Sequence, residues 1–590
     1  MRRLLTVLLL LAALAQGQSL KHIIIIVKEN RSFDHYFGQF PGVTGGPVTS
    51  YACFGTQGGC SHSRLAVIPG NPSLGDADCG HYYGNAISDY NDGAMNRFNQ
   101  NCGGSTDWAK QYGQLCQGGS NIGKYCRTNG DCPGSSCVNT IPIYWSYATQ
   151  YGLADHMFAS AMGPSYPNHL YIIAATANET QDNPQMTPGR PPNGEGGNGW
   201  TCDAFHYGHC ASGSKAGALC STSSDCNGSA CNIDSGTGTC SVGGASCALD
   251  TDCSSGYCTN GDVYTAAGGA FYGIDIKGGT GKQMFPGVCS KHRTVGCNSI
   301  CSGPGHGCNV VNDCNYGSPT SNCNIEDPIC VALNPTDVCD ASSRQFLSAG
   351  RGSACPNVTT IADRLDAARV TWGMYYGSGN TNGSQQLWNP VGYVQHLRYG
   401  SDWTNKVHPD TQFVSDAAAS ISPATDILPS VVWINGSGSG SEHPNKMVAD
   451  GELWTATQVS AIANNPYLWS NSTIFITWDD FGGFADHIAP HQDSINWTNG
   501  IRVPLLCVGR FCKSQITTTI FTPASLLKCI ENVFGVSALI SGVDGAANDV
   551  CLSSGGMMSL GHDNPFPGDS VAGASQVETG SRINNESSLP

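Results

Sequence analysis

Short unbroken apolar runs alternate along the chain with longer stretches whose apolar positions recur every three or four residues. The runs "HIIIIV" (22–27), "RVTWGMYY" (369–376), "SVVWI" (430–434), "STIFITW" (472–478) and "RVPLLCVG" (502–509) predict buried strands. The periodic stretches 143–159, 359–369, 452–465 and 523–536 predict helices, and the last opens on Pro523, a residue suited to a first turn. Strands alternating with helices predict an α/β fold, a mostly parallel sheet with helices on both faces. Ligands of such sheets bind beyond the carboxyl ends of the strands.

Between 200 and 355 this pattern disappears, and Gly, Ser and Cys dominate. Of 30 cysteines, 26 fall between Cys53 and Cys355. "CRTNGDCPGSSC" (126–137), "CSTSSDCNGSAC" (220–231) and "CALDTDCSSGYC" (247–258) share the spacing C-x5-C-x4-C with Asp before the middle Cys, and "CNVVNDC" (308–314) begins a fourth copy. The first two copies share a further Cys ten positions upstream, Cys116 and Cys210. Such a unit buries no core and needs covalent staples. No C-x-x-C pair occurs, so disulfides are expected rather than zinc. The expected organisation is an α/β domain in two parts, 18–199 and 356–551, with a small Cys-rich loop at 116–137, a disulfide-rich insertion at 200–355 and a flexible polar tail at 552–590.

Residues 1–17 read as a secretory signal peptide. "MRR" precedes the apolar "LLTVLLLLAALA", too short to span a bilayer comfortably, and Ala13-x-Ala15 or Ala15-x-Gly17 supplies the small residues of a cleavage site. The expectation is a secreted, extracellular or periplasmic protein. Net charge is −16, from 28 Lys+Arg against 44 Asp+Glu, and no basic run stands out. That balance excludes a nucleic-acid partner and gives no attraction to anionic lipid, leaving at most transient contact with a membrane surface.

The candidate chemistry sits where the apolar runs stop. "HIIIIV" ends in Lys28, Glu29, Asn30 and Arg31, and "STIFITW" ends in Asp479 and Asp480, followed by two glycines, Asp486 and His487. The first end reads as well as a turn entering solvent; at the second, where Asp480 could cap a helix, the Gly pair and the Asp486-His487 pair are surplus to a simple cap. If both lie at one sheet edge, Glu29, Asn30, Asp479 and Asp480 form a hard oxygen set suited to a divalent cation. Ser165, in "GPSYPN", precedes an apolar helix expected to begin near Asn168. Its hydroxyl either caps that helix or faces an anion as a nucleophile. His443 and His487 follow candidate strands in loops, within reach of a leaving group, while His81 and His396 are further candidates. Arg31 pairs either with a phosphate or site carboxylate, or with Asp34.

Taken in order, "HIIIIVKENRSFDHYFGQFPGV", "DYNDGAMNRF", "LADHMFASAMGPSYPNHLY", "TIADRLDAARVTW", "HLRYGSDW", "EHP" and "ITWDDFGGFADHIAP" resemble the phosphoesterase family of phosphatidylcholine-type phospholipases C and secreted acid phosphatases. The resemblance implies an alkaline-phosphatase-like α/β fold. It implies a divalent metal on Glu29, Asn30, Asp479 and Asp480, a nucleophile at Ser165, and His443 and His487 near the phosphate. His81, Asn168 and Arg31 are the substrate-binding candidates. A phosphomonoester or a phospholipid is the implied substrate. Asp480 departs from the Glu frequent at that position. The rival expectation is an extracellular binding or adhesion protein whose Cys-rich repeats carry the function on an inactive frame.

Overall fold

The computed structural model describes residues 20–55, 60–177, 183, 358–377, 388–490 and 499–566, with eight short strand segments between 208 and 308. Its centre is an eight-stranded sheet. The strands are β1 (His22–Lys28), β2 (Gly152–Ala154), β3 (Trp372–Tyr376), β4 (Val407–Pro409), β5 (Val431–Asn435), β6 (Ser472–Trp478), β7 (Leu505–Gly509) and β8 (Gln515–Thr517). Their order is β4-β3-β5-β1-β6-β7-β2-β8, and only β7 runs against the rest.

The main helices are α1 (Phe33–Phe37), α2 (Tyr83–Tyr90), α3 (Pro142–Gln150), α4 (Ser165–Ala174), α5 (Ile361–Ala368), α6 (Asp410–Ala419), α7 (Val448–Ala463) and α8 (Pro523–Phe534). α3 and α6 pack on α7, while α5 and α8 pack on α4. Every residue of β1, β5, β6 and β7 is buried, as a sheet covered on both faces requires. This is the expected α/β architecture. Among the described residues no helix is long and apolar enough to cross a membrane.

Three expectations change. The stretch 143–159 is not one helix: α3 stops at Gln150, and Gly152–Ala154 becomes β2. A Cβ on Gly152 would sit 2.8 Å from the Lys513 carbonyl, so close pairing with β8 uses the glycine and wins over helix continuation. The helix after "GPSYPN" starts at Ser165 itself. The tail expected to be flexible from 552 is packed as far as Phe566: Met557 and Met558 are buried, and the Asn564 amide donates to the Gly509 and Cys512 carbonyls. The proposed signal peptide, most of 200–355 and residues 567–590 lie outside the described residues.

Disulfides join Cys53–Cys60, Cys79–Cys102, Cys116–Cys132, Cys126–Cys137, Cys507–Cys512 and Cys529–Cys551. In the first repeat copy Gln114–Cys116 pairs antiparallel with Cys137–Asn139, setting Cys116 opposite Cys137. Cys210 stands opposite Cys231, and Cys240 opposite Cys258, in the next two copies. The repeat is thus one of backbone register as well as of cysteine spacing.

Candidate active site

β1 and β6 run side by side with Lys28 opposite Trp478, so the residues after them emerge together at the carboxyl edge. Asn30 ties the two ends. Its backbone N–H donates to Asp479 Oδ1 at 2.9 Å, and its side-chain amide donates to Asp480 Oδ2 at 2.8 Å and to Ser165 Oγ at 2.9 Å. Asn30 has a φ of +54°, a left-handed conformation that Asn tolerates better than most residues. Gly482 (φ +64°) follows the two aspartates, and a Cβ there would lie 2.2 Å from the Asn30 carbonyl. Glycine is required for that loop to pass.

Ser165 is the first residue of α4, and its hydroxyl donates to Asp480 Oδ2 at 3.2 Å. Asn168 holds the preceding loop. Its Oδ1 accepts from the Ala161 N–H at 2.9 Å, and its amide donates to the carbonyls of Ala161, Gly163 and Pro164. All its hydrogen bonds are to backbone, so it holds the loop that leads into Ser165. Asn168→Ala should cost on the order of 3 kcal/mol in urea unfolding, because four buried backbone groups lose their partner. A cost below about 0.5 kcal/mol would make those bonds incidental.

His169, which the sequence reading did not single out, completes the inner wall. Its Nε2 lies 2.8 Å from Glu29 Oε1 and 3.7 Å from Asp479 Oδ2. Burial, only partly opposed by Asp479, lowers its pKa to about 4, so the ring is neutral. Its Nε2 shares a hydrogen bond with Glu29 Oε1 and fixes that side chain.

The electrostatics are unbalanced. Glu29, Asp479 and Asp480 are each at most 1 % exposed. Among the described residues no Lys or Arg bonds any of the three. Burial first, then repulsion from Asp479 and Asp480, pushes Glu29 well above the usual carboxylate range. Burial and Asp479 push Asp480 up to about 8. The adjacent cations are engaged elsewhere: Lys28 pairs with Glu442 at 3.1 Å and Arg31 with Asp76 at 2.9 Å. Glu29 Oε2, Asn30 Oδ1 and Asp479 Oδ2 are buried without a hydrogen-bond partner. Orphaned oxygens at this depth, two of them on carboxylates, are costly unless a cation meets them, and an oxygen-rich set beside His169 suits a divalent ion.

Exposure rises toward two histidines. His81 Nε2 lies 3.5 Å from the Asn30 amide, and its Nδ1 lies 2.8 Å from the Cys79 carbonyl, on a loop tied by Cys79–Cys102. Burial opposes its charge, but Asp480 and Asp78 outweigh that and raise its pKa. The His443 ring lies 6.4 Å from that of His81 and stacks on Trp388 at 5.7 Å. The Asp78 side chain beside them is 39 % exposed.

Three expected residues sit apart from this cluster. His487 Nδ1 is 2.8 Å from Asp34 Oδ2, in a second group where Arg502 pairs with Asp34 at 2.8 Å and Asp486 at 3.1 Å. The geometry gives it a bracing role and no contact with Ser165. Arg31 does not pair with Asp34: it binds Asp76, and its Nε and Nη2 donate to the Glu442 carbonyl. His396 pairs with Asp363 at 2.9 Å, on a half-exposed surface.

Comparison with known proteins matches residues 20–537 to the phosphoesterase family. The non-hemolytic phospholipase C of Pseudomonas aeruginosa is 25 % identical over 210 residues, covering 30 % of this chain and 30 % of that protein. Phospholipase C A of Mycobacterium tuberculosis is 25 % identical over 203 residues, 30 % of this chain and 39 % of that one. The likeness to these relatives thus spans well under half of their length. The structure of a protein in the alkaline phosphatase superfamily from Vibrio parahaemolyticus overlaps 33 % of this chain and 51 % of that one at 16 % identity, with a TM-score of 0.21. With most of its length matched, the two strand ends, the serine loop and the histidines included, the chain belongs to the phosphoesterase family.

Proposed function

We propose that the protein is an exported, metal-dependent hydrolase of phosphoric esters with Ser165 as its nucleophile. The observation that carries this reading is the serine hydroxyl bonded to Asp480 in a cluster with Glu29 and Asp479, three buried carboxylates that, among the described residues, no Lys or Arg bonds. The disulfides and the N-terminal pattern support export.

Glu29, Asn30, Asp479 and Asp480 would hold a divalent cation, which when bound neutralises phosphoryl charge and makes a nearby hydroxyl more acidic. The chain's own residues do the rest. The Asn30 amide orients Ser165 Oγ, and the Ser165 proton passes to Asp480 Oδ2 along the existing hydrogen bond. The Oγ–P bond forms as the bond from phosphorus to the ester oxygen breaks. His81, whose charged form its acidic neighbours favour, receives a phosphoryl oxygen. His443 gives a proton to the departing alcohol and regains one from solvent, and water then cleaves the phosphoseryl bond as Asp480 returns its proton to Ser165 Oγ.

A nitrophenyl phosphomonoester and a nitrophenyl phosphorylcholine, each with and without chelator, test the reading. Turnover that chelation removes and a divalent ion restores is the expected result. The faster substrate assigns the protein to phosphomonoesters or to phospholipid headgroup diesters. Turnover indifferent to chelation would refute the cation, and none on either ester across several metals would refute the hydrolase.

A further inference from the structure

We infer that Glu442 is a positioning residue that sets His443 over the site by locking its loop to the end of β1. The inference rests on the reading of His443 as the acid that protonates the leaving group.

The four residues Lys28-Glu29-Asn30-Arg31 divide into two sets. Glu29 and Asn30 face the carboxylate cluster, while Lys28 and Arg31 turn to the loop after β5. Lys28 Nζ meets Glu442 Oε1 at 3.1 Å and donates to Thr455 Oγ1 at 2.9 Å and the Gly451 carbonyl at 3.2 Å. Arg31 Nε and Nη2 donate to the Glu442 carbonyl at 3.1 and 2.8 Å. The Glu29 N–H donates to the Ser441 carbonyl at 2.8 Å. The segment that supplies two candidate ligands therefore grips residues 441 and 442 at three points, and His443 is the next residue.

Glu442 is built into this grip. Its carboxylate also accepts from the Tyr36 hydroxyl at 2.6 Å and from the Tyr144 hydroxyl, and it is fully buried. Its φ is +68°, a conformation unfavourable for a residue with a Cβ. Gly451, inside α7, leaves the space for it: a Cβ there would lie 2.1 Å from Glu442 Cγ. Glycine in a helix interior costs stability, as does removing an ion pair from water. A buried pair of this kind is weak as a source of stability, and fixing register is its best attested use. Here the register is that of His443 against Glu29 and Asn30.

The test compares two esters by phosphate release. A nitrophenyl phosphate leaves as a stable phenolate and needs no proton, whereas an alkyl phosphate must be protonated as it leaves. Glu442→Gln should lower kcat on the alkyl ester about 100-fold with KM little changed, the scale expected for a catalytic group displaced by an ångström. On the nitrophenyl ester its kcat should stay within about threefold of the parent. Gly451→Ala, which drives a methyl group against Glu442 while favouring the helix, should give the same split and serves if Glu442→Gln does not fold. His443→Ala is the control. If it shows no dependence on the leaving group, the acid reading of His443 fails and the inference falls with it. If it shows the dependence while Glu442→Gln and Gly451→Ala slow both esters alike, or neither, Glu442 is structural only and the inference is overturned.

Discussion

Glu29→Gln should make the chelated protein more stable and the enzyme inactive. Glutamine keeps an oxygen beside His169 Nε2 and places an amide where Oε2 has no partner, against the orphaned Asp479 Oδ2. Burial and the neighbouring aspartates raise the Glu29 pKa in the folded chain, so the chelated protein holds a proton that the unfolded chain releases above about pH 4.3. Stability is then fully present below that pH and declines as pH rises toward the raised folded value. The amide cannot ionise and is free of the decline. At neutral pH the chelated variant should exceed the chelated parent by about 2 kcal/mol or more in urea unfolding, and lose much of the pH slope. Excess divalent ion should reverse the order, because only the parent gains binding free energy. A chelated variant less stable than the parent would mean that the carboxylate is well served without a cation, and the metal assignment would fail.

Ser165→Ala should lower turnover by at least about 10⁴-fold, the scale seen when a nucleophile is deleted from a site that otherwise stays assembled. The fold should survive, since the Asn30 amide keeps its bond to Asp480. Ser165→Thr retains a hydroxyl at the same helix terminus and should recover part of the rate. Acid quenching of the wild type during turnover, followed by peptide mapping, should place phosphate on Ser165. A Ser165→Ala variant within tenfold of wild type would instead assign the attack to water, with Ser165 a helix-terminal hydroxyl.

The strand ends were legible because a buried apolar run that stops at acids breaks the usual order of polarity. Glu29, Asp479 and Asp480 announced themselves that way, and β1 and β6 run over the predicted spans within a residue. β2, β4 and β8 could not be seen, because strands of three residues have no period to read. The reversed sense of β7 is likewise set by pairing alone. His169 was hidden by its position inside an apolar helix, where a histidine reads as core; its place one turn after Ser165 was the available signal. His487 looked like a site residue because it follows Asp479 and Asp480 in a loop, yet α1 brings Asp34 to it first. Arg31 was expected to meet a phosphate, a site carboxylate or Asp34, but its partners, Asp76 and the Glu442 carbonyl, come from loops distant in sequence.

The cysteine unit enters and leaves the frame at one place. Cys116 and Cys137 are cross-strand neighbours, and the two disulfides of that copy close within it. A segment that returns the chain to its starting point can be lengthened, duplicated or deleted at the modest entropy of closing a loop, without shifting the register of any sheet strand. Copy number is therefore free to drift between descendants of this chain at little risk to Glu29, Ser165 or Asp479. The frame that carries the candidate site and the cysteine-stapled loop are therefore open to separate selection.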